Sequence, residues 1–484
     1  MQTSVLAHKE LSKPRLIIRA RALAIAIAIT PVFLVQSYAQ ETLQAADIIE
    51  AIKHFHPKLH EVAAKRKQVN LEEIRLAAAF DPVVSQSTIL RPSGYYDGQY
   101  IDQKVTQRIA GTSAKVFGGY RISEGNFPEY EGELRTLSAG EANIGIGFSL
   151  LQNRETDKDR TALKNALLAQ ENWRAREQAV LNNTIYKGLS AYLNWYQASL
   201  QLLVVSELVE ATEARLAGIE TRVANGDLAK INLTEFNATL LSRQLSEQRA
   251  KRALALAKQE LVFYWRDQHG NMRDVEDIPA LSASDIHWPF SLQSHNAEDL
   301  TQKVYQHPNV KVLKAEIDRA RNNERLSAEG LKPKLDLELK LARDVGSGSD
   351  TLTGTEGKIE LAFSMPLGVR AAKAKRSQAR EKINELNFAL VNLVSELERD
   401  VLTALTSYNY GKTVLKLNQQ QAEVANELLK QELTRFRVGD SDLFVLNSRE
   451  ASAIQAKLSA IAASVDLLKS EIHVLLITGT LNQV

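Results

Sequence analysis

The chain has 484 residues, with 60 Lys and Arg against 58 Asp and Glu, a net charge of +2, no cysteine and 6% aromatic residues. Charges of both signs are interspersed, which gives no basic patch for nucleic acid, and the lack of cysteine excludes disulfides, thiolate metal sites and a Cys nucleophile. The length exceeds one ordinary core, and long stretches of Ala, Leu, Gln, Glu, Lys and Arg suit long helices.

In chain order, Lys9, Lys13, Arg15, Arg19 and Arg21 precede an apolar run from Ala22 to Val35, followed by the small residues of Ser37-Tyr38-Ala39. Residues 1–39 are therefore expected to be an export signal, since a run of about 14 residues broken by Pro31 is too short for a spanning helix. No other segment is apolar enough to span as a helix, so an exported chain is either soluble or crosses a membrane as strands.

The rest repeats one plan. His56-Pro57 recurs as His307-Pro308 and Pro82 as Pro333, both 251 residues on; Phe148-Ser149 recurs as Phe363-Ser364, and Arg222 with Gly226-Asp227 as Arg435 with Gly439-Asp440, at offsets of 215 and 213. The first repeat is placed at 40–265 (helix 43–80, strands 83–152 with an insertion, helical hairpin 154–265). A connecting segment follows at 266–297, then the second repeat at 298–484 (helix 298–331, strands 334–366, hairpin 370–477). Pro82 to Phe148 spans 66 residues and Pro333 to Phe363 spans 30, so the first copy carries 36 extra residues between its helices.

The arms step by heptads. Leu181, Ile185, Gly188, Tyr192, Trp195, Ser199 and Leu202 mark the first; Leu390, Val394, Leu397, Val401, Ala404, Tyr408, Gly411 and Leu415 mark the second, and Ile454 to Leu475 its return. Asn225-Gly226-Asp227 and Gly439-Asp440-Ser441-Asp442 read as the tips of two helical hairpins, with glycine at the C′ position and acidic or hydroxyl residues able to cap the returning helix.

Leu335, Leu337, Leu339 and Leu341 alternate with Asp336, Glu338 and Lys340. Ile359, Leu361 and Phe363 alternate with Lys358 and Glu360, and Ala142, Ile144, Ile146 and Phe148 with Asn143, Gly145 and Gly147. Segments of this length with one greasy and one polar face fit barrel strands. Four per chain are too few to close a barrel, so the chain must oligomerise. The extra segment, Val83–Leu90, Val105–Ile109 and Ala114–Ile122, is expected as an external or rim hairpin, and Tyr95, Tyr96, Tyr100, Phe117, Tyr120, Phe127 and Tyr130 as an interfacial girdle.

Taken together, the His-Pro starts, Pro82 and Pro333 at the helix-to-strand turns, Phe148-Ser149-Leu150-Leu151 with Phe363-Ser364-Met365-Pro366-Leu367, and the repeated Arg-x-x-x-Gly-Asp tips resemble the TolC-like outer-membrane efflux proteins over essentially all of the mature sequence. The resemblance implies a mainly α chain with a membrane β-barrel part: a homotrimer with four or more strands per chain in a 12-stranded barrel above a periplasmic α-barrel. It further implies a duct that meets a periplasmic adaptor and an inner-membrane pump, without cofactor or enzyme activity. Gly226, Asp227, Gly439, Asp440 and Ser441 would present to the adaptor; Arg222 and Arg435 would pair across neighbouring hairpins and hold the tip shut. The best-known member carries two aspartates six and nine residues after its second tip glycine. Val445 and Ser448 stand there here, and Asn232 and Glu235 in the first copy, which leaves an acidic gate to Glu235, or to Asp440 and Asp442. The alternative is a soluble periplasmic coiled-coil adaptor or scaffold.

No phosphate loop, nucleophile elbow or zinc motif is present, and among His54, His56 and His60 only His56 and His60 have i, i+4 spacing.

Overall fold

His56 and Pro57 split the first helical stretch in two. Proline needs no N–H partner in a first turn, and the His56 side chain accepts the Lys58 N–H at 3.2 Å, so helix α1 (Ala45–Phe55) stops and α2 (Pro57–Ala77) starts in one step. This is a computed structural model that describes residues 43–281, 287–292 and 297–483. The expected export signal lies outside the described residues. After α2 come β1 (Val83–Arg91), β2 (Gly98–Arg108), β3 (Ala114–Gly125) and β4 (Glu141–Ser149), then α3 (Lys158–Ala224), α4 (Lys230–Tyr264), α5 (Ala297–Lys303) and α6 (Pro308–Glu329). The chain ends with β5 (Lys334–Asp344), β6 (Thr355–Ser364), α7 (Arg370–Arg437) and α8 (Leu443–Ile477).

The His-Pro device recurs at α6, where His307 Nδ1 accepts the Asn309 N–H at 3.1 Å. Both caps work only while Nδ1 is unprotonated. Burial pushes the pKa of His307 below its ordinary value, and burial together with Arg266 does the same for His56. Because the folded-state pKa is depressed, the stabilisation is complete above the unfolded value near 6.5 and is lost as the pH falls through the folded pKa. Thermal unfolding is therefore expected at a lower temperature at about pH 5.5 than at about pH 7.5. Replacing both histidines with Asn, which caps without titrating, should reduce that difference. An undiminished difference would show that these caps do not set it.

Helices α3 and α7 have 67 and 68 residues and extend about 100 Å each. Within the unit Thr42–Val484 they lie side by side with their neighbours, in the order α4, α3, α8, α7 towards the tips and α2, α3, α6, α7 towards the sheet. The core sits where α1 crosses this layer: Ile48 and Ile52 meet Ile185, Leu189, Tyr192 and Trp195 of α3, with Val465 and Ile472 of α8. Gly188 admits α1, since a Cβ there would come within 2.3 Å of Ile52. Part of the connecting segment joins this core through Ile278, Phe290 and Leu292. The Trp288 indole N–H and the Leu292 N–H both donate to the Glu471 carboxylate of α8 at 2.8 Å. Among the described residues no helix is long and apolar enough to cross a membrane.

The strands form one antiparallel sheet in the order β1-β2-β3-β4-β5-β6. This corrects the expectation of an external hairpin: β2 and β3 lie inside the sheet, between the strand that leaves α2 and the strand that enters α3. The sequence hides this because β1 and β2 carry Gln and Thr where β4 to β6 carry Leu and Ile, which blurs their alternation.

Candidate functional site

The sheet register sorts its side chains onto two faces. Val105, Gly118, Ile144, Leu341 and Gly357 are successive cross-strand partners, as are Gln107, Val116, Ile146, Leu339 and Ile359. This face carries no charge across the middle of the sheet, and Ile144, Ile359, Leu361 and Phe363 are 62–76% exposed on it. The other face bears Asp102, Lys104, Arg108, Lys115, Arg121, Glu141, Glu338, Lys340, Lys358 and Glu360. Its charges are internally matched: Glu141 pairs with Arg121 at 2.7 Å and Lys340 at 2.9 Å, and Lys115 with Glu338 at 2.9 Å. Apolar side chains outward and polar ones inward is the division that a membrane barrel makes between lipid and lumen.

The girdle expected from seven aromatic residues does not form. Of these, only Tyr120 lies on the uncharged face. Phe117 points to the charged face, where the Lys104 ammonium sits 3.9 Å from its ring centroid and Gly145 leaves room for the ring. Tyr100 shares that face, Phe127 packs against Tyr96, Tyr95 is in a loop, and Tyr130 is in a short 3-10 helix between β3 and β4.

Sequence reasoning missed the segment between β3 and β4. It folds over the charged face: Glu133 meets Lys358 of β6 at 3.1 Å, the Leu137 N–H donates to Asp344 at 3.0 Å, and the Ser347 N–H donates to Ser138 at 2.9 Å. Phe127 and Leu137 of this segment are buried. Hydrophilic composition and lack of period gave no signal for this placement.

At the opposite end, Pro82 and Pro333 stand immediately before β1 and β5. Arg108 of β2 reaches the start of α3, bonding Asp159 and pairing with Asp157 at 2.8 Å. Asp157 also caps α3, accepting the Asp159 and Arg160 N–H groups at 2.9 Å. Asp157 is partly buried, which raises its carboxyl pKa, but these bonds and the two arginines outweigh burial and hold it below the ordinary value.

The two tips share one construction. Gly226 and Gly439 have φ of +84°, a left-handed conformation that favours glycine. The Asp227 N–H donates to the Arg222 carbonyl and the Gly226 N–H to that of Val223; Asp440 and Gly439 repeat this with Arg435 and Phe436. Both turns are therefore Schellman motifs, and the repeated Arg-x-x-x-Gly-Asp is their sequence trace. The second return helix is capped by Asp442, which accepts the Val445 N–H at 2.8 Å; the first starts at Ala229 with no side-chain cap. Arg435 donates to Asp440 of its own turn at 3.0 Å, and Arg222 lies 6.0 Å from the Phe436 ring centroid on the other hairpin. Glu235, Asp442 and Asp440 are exposed, as are the apolar Val438 and Phe444 at 76% and 78%.

Between tip and core, Glu450 of α8 is paired with Arg215 of α3 and, at 2.8 Å, with Arg243 of α4; all three side chains are largely buried. His54 faces Glu50, His56 caps α2 and His60 is exposed, so the three histidines do not converge.

No protein-family model and no curated protein matches the sequence. Solved structures do match. The outer-membrane channel OprN is 15% identical, with 91% of each chain covered and a TM-score of 0.66. The outer membrane protein VceC of Vibrio cholerae is 14% identical over 90% of this chain and 96% of its own, with a TM-score of 0.64. The MtrE outer membrane channel of Neisseria gonorrhoeae, in its open state, is 14% identical over 90% and 89%, also at 0.64. The chain has the fold of these outer-membrane channels.

Proposed function

We propose that the chain is the outer-membrane exit duct of a tripartite efflux or type I secretion assembly, a homotrimer that passively conducts substrates delivered by an inner-membrane pump through a periplasmic adaptor. The observation that carries this is the two-faced sheet at the end of helices about 100 Å long. Lipid tolerates strands only when every backbone group is paired, so the open edges require further copies. The helical layer has matching open edges. On α4, Leu241, Leu245, Leu256 and Phe263 are 47–66% exposed, and on α7 Val391, Val414, Leu417 and Val424 are 48–65% exposed. Unlike edges that meet head to tail generate a ring, which three copies close. The soluble adaptor or scaffold is disfavoured because it leaves Ile144, Ile359, Leu361 and Phe363 in water. The tip turns at Gly226, Asp227, Gly439, Asp440 and Ser441 are assigned to the adaptor, with Val438 and Phe444 as apolar contacts beside them, and Arg222, Arg435, Glu235 and Asp442 to the gate.

The test is reconstitution of the purified protein into a planar bilayer. Discrete conductance steps, uniform in size, are expected; a protein that inserts from detergent and yet leaves the bilayer sealed at every voltage would refute conduction.

A further inference from the structure

We infer that all six strands of each chain stand in the membrane wall, so that the trimer closes an 18-stranded barrel in which β6 of one copy pairs with β1 of the next. The inference rests on the trimeric duct proposed above and concerns which surface a second copy of this chain occupies.

Three features of the sheet support it. The first is position. β1 follows α2, at one edge of the helical layer, with a short turn and Pro82 between them, and β6 leads into α7 at the other edge. The edges of the sheet thus continue the edges of the helical layer. Arg108 of β2, bound to Asp157 and Asp159 at the start of α3, holds the inserted hairpin in line with the other strands.

The second is stagger. The cross-strand row Val83, Thr106, Phe117, Gly145, Lys340, Lys358 begins at the helix-side end of β1 and finishes six residues before Ser364, the helix-side end of β6. At about 3.3 Å per residue and about 4.8 Å per strand, six residues over five steps correspond to a tilt of about 40°, within the range of closed barrels. A flap outside the wall has no reason to keep that slope.

The third is the match between the edges. β1 runs away from the helices and β6 towards them, so they meet antiparallel, with 9 and 10 residues. Repeating the six-residue stagger at the seam puts Val83 opposite Ser364. Val84, Thr88 and Leu90 then face Phe363, Ile359 and Gly357 on the uncharged side, and Arg91 faces Glu356 on the charged side. A shift of two residues would set Arg91 against Lys358. Barrel width grows roughly linearly with strand number, so the lumen is about half again as wide as that of a 12-stranded wall, which leaves room for the segment that folds across the charged face between β3 and β4.

The absence of cysteine makes disulfide trapping clean. The double variant Thr88→Cys with Ile359→Cys is expected to shift most of the membrane protein to a covalent trimer on oxidation, because the two positions meet only between copies. Gly118→Cys with Ile359→Cys, which would meet if only β3 to β6 formed the wall, should stay monomeric on a denaturing gel. Single cysteines supply a readout independent of the seam: an impermeant maleimide applied to whole cells should label Ser87→Cys, facing the lumen, and spare Thr88→Cys, facing lipid. Membrane trimers linked through Gly118→Cys, membrane trimers unlinked by the first pair, or equal labelling of both single variants would overturn the 18-stranded wall and leave the duct standing. A chain that forms no membrane trimer would overturn the duct itself.

Discussion

Replacing Glu450 with Ala is expected to destabilise the chain by about 3–5 kcal/mol. Glu450 is paired with both Arg215 and Arg243, whose side chains are 22% and 8% exposed, against 6% for Glu450. Its removal leaves two guanidinium groups with little access to water and no countercharge, and that uncompensated desolvation far exceeds the worth of the pair itself. A surface pair gives the contrast. Lys457 and Glu207, 3.4 Å apart with both side chains more than half exposed, should tolerate Lys457→Ala at a cost of at most about 1 kcal/mol. Denaturant unfolding of the two variants checks the difference; equal midpoints would show that Glu450 is not structurally coupled to the arginines.

The second large effect is functional. Gly439→Val is expected to abolish efflux of the compounds to which a deletion strain becomes hypersensitive, while trimer yield in the membrane is unchanged. The φ of +84° costs a β-branched residue of order 1–2 kcal/mol, and nothing lies within 4 Å of the added Cβ, so the strain is confined to the turn. That turn orients Asp440, Ser441 and the exposed Val438 and Phe444, the surface assigned to the adaptor. Gly218→Ala, in a helix interior with open space around it, should leave efflux intact and stabilise slightly. Normal efflux by Gly439→Val would remove the tip from the docking surface.

What the sequence made legible was local. A proline after a histidine, or a glycine after an arginine four residues earlier, marks a cap whose geometry is set within one turn, so the repeat and the hairpin tips could be placed by residue number. The strands β4 to β6 were legible because Leu, Ile and Phe alternate strictly with charged residues in β5 and β6 and with Asn and Gly in β4. The place of β1 was not: Val83–Leu90 was expected in an external or rim hairpin, and its place in the sheet follows from pairing with β2, where Gln103 donates to Gln86 at 2.8 Å. The bond from Arg435 to Asp440, five residues on, was likewise not legible, because it depends on the turn that holds the aspartate in place. The Glu450 cluster lay beyond sequence reading altogether, since it joins three helices across 235 residues of chain.

The duct is tested most directly by where the protein resides and in what form. Cells producing the full chain should yield it in the outer-membrane fraction as a trimer that survives detergent on an unheated gel and falls to a monomer of 53.8 kDa or slightly less on boiling. Recovery as a soluble monomer from the periplasm would contradict the duct.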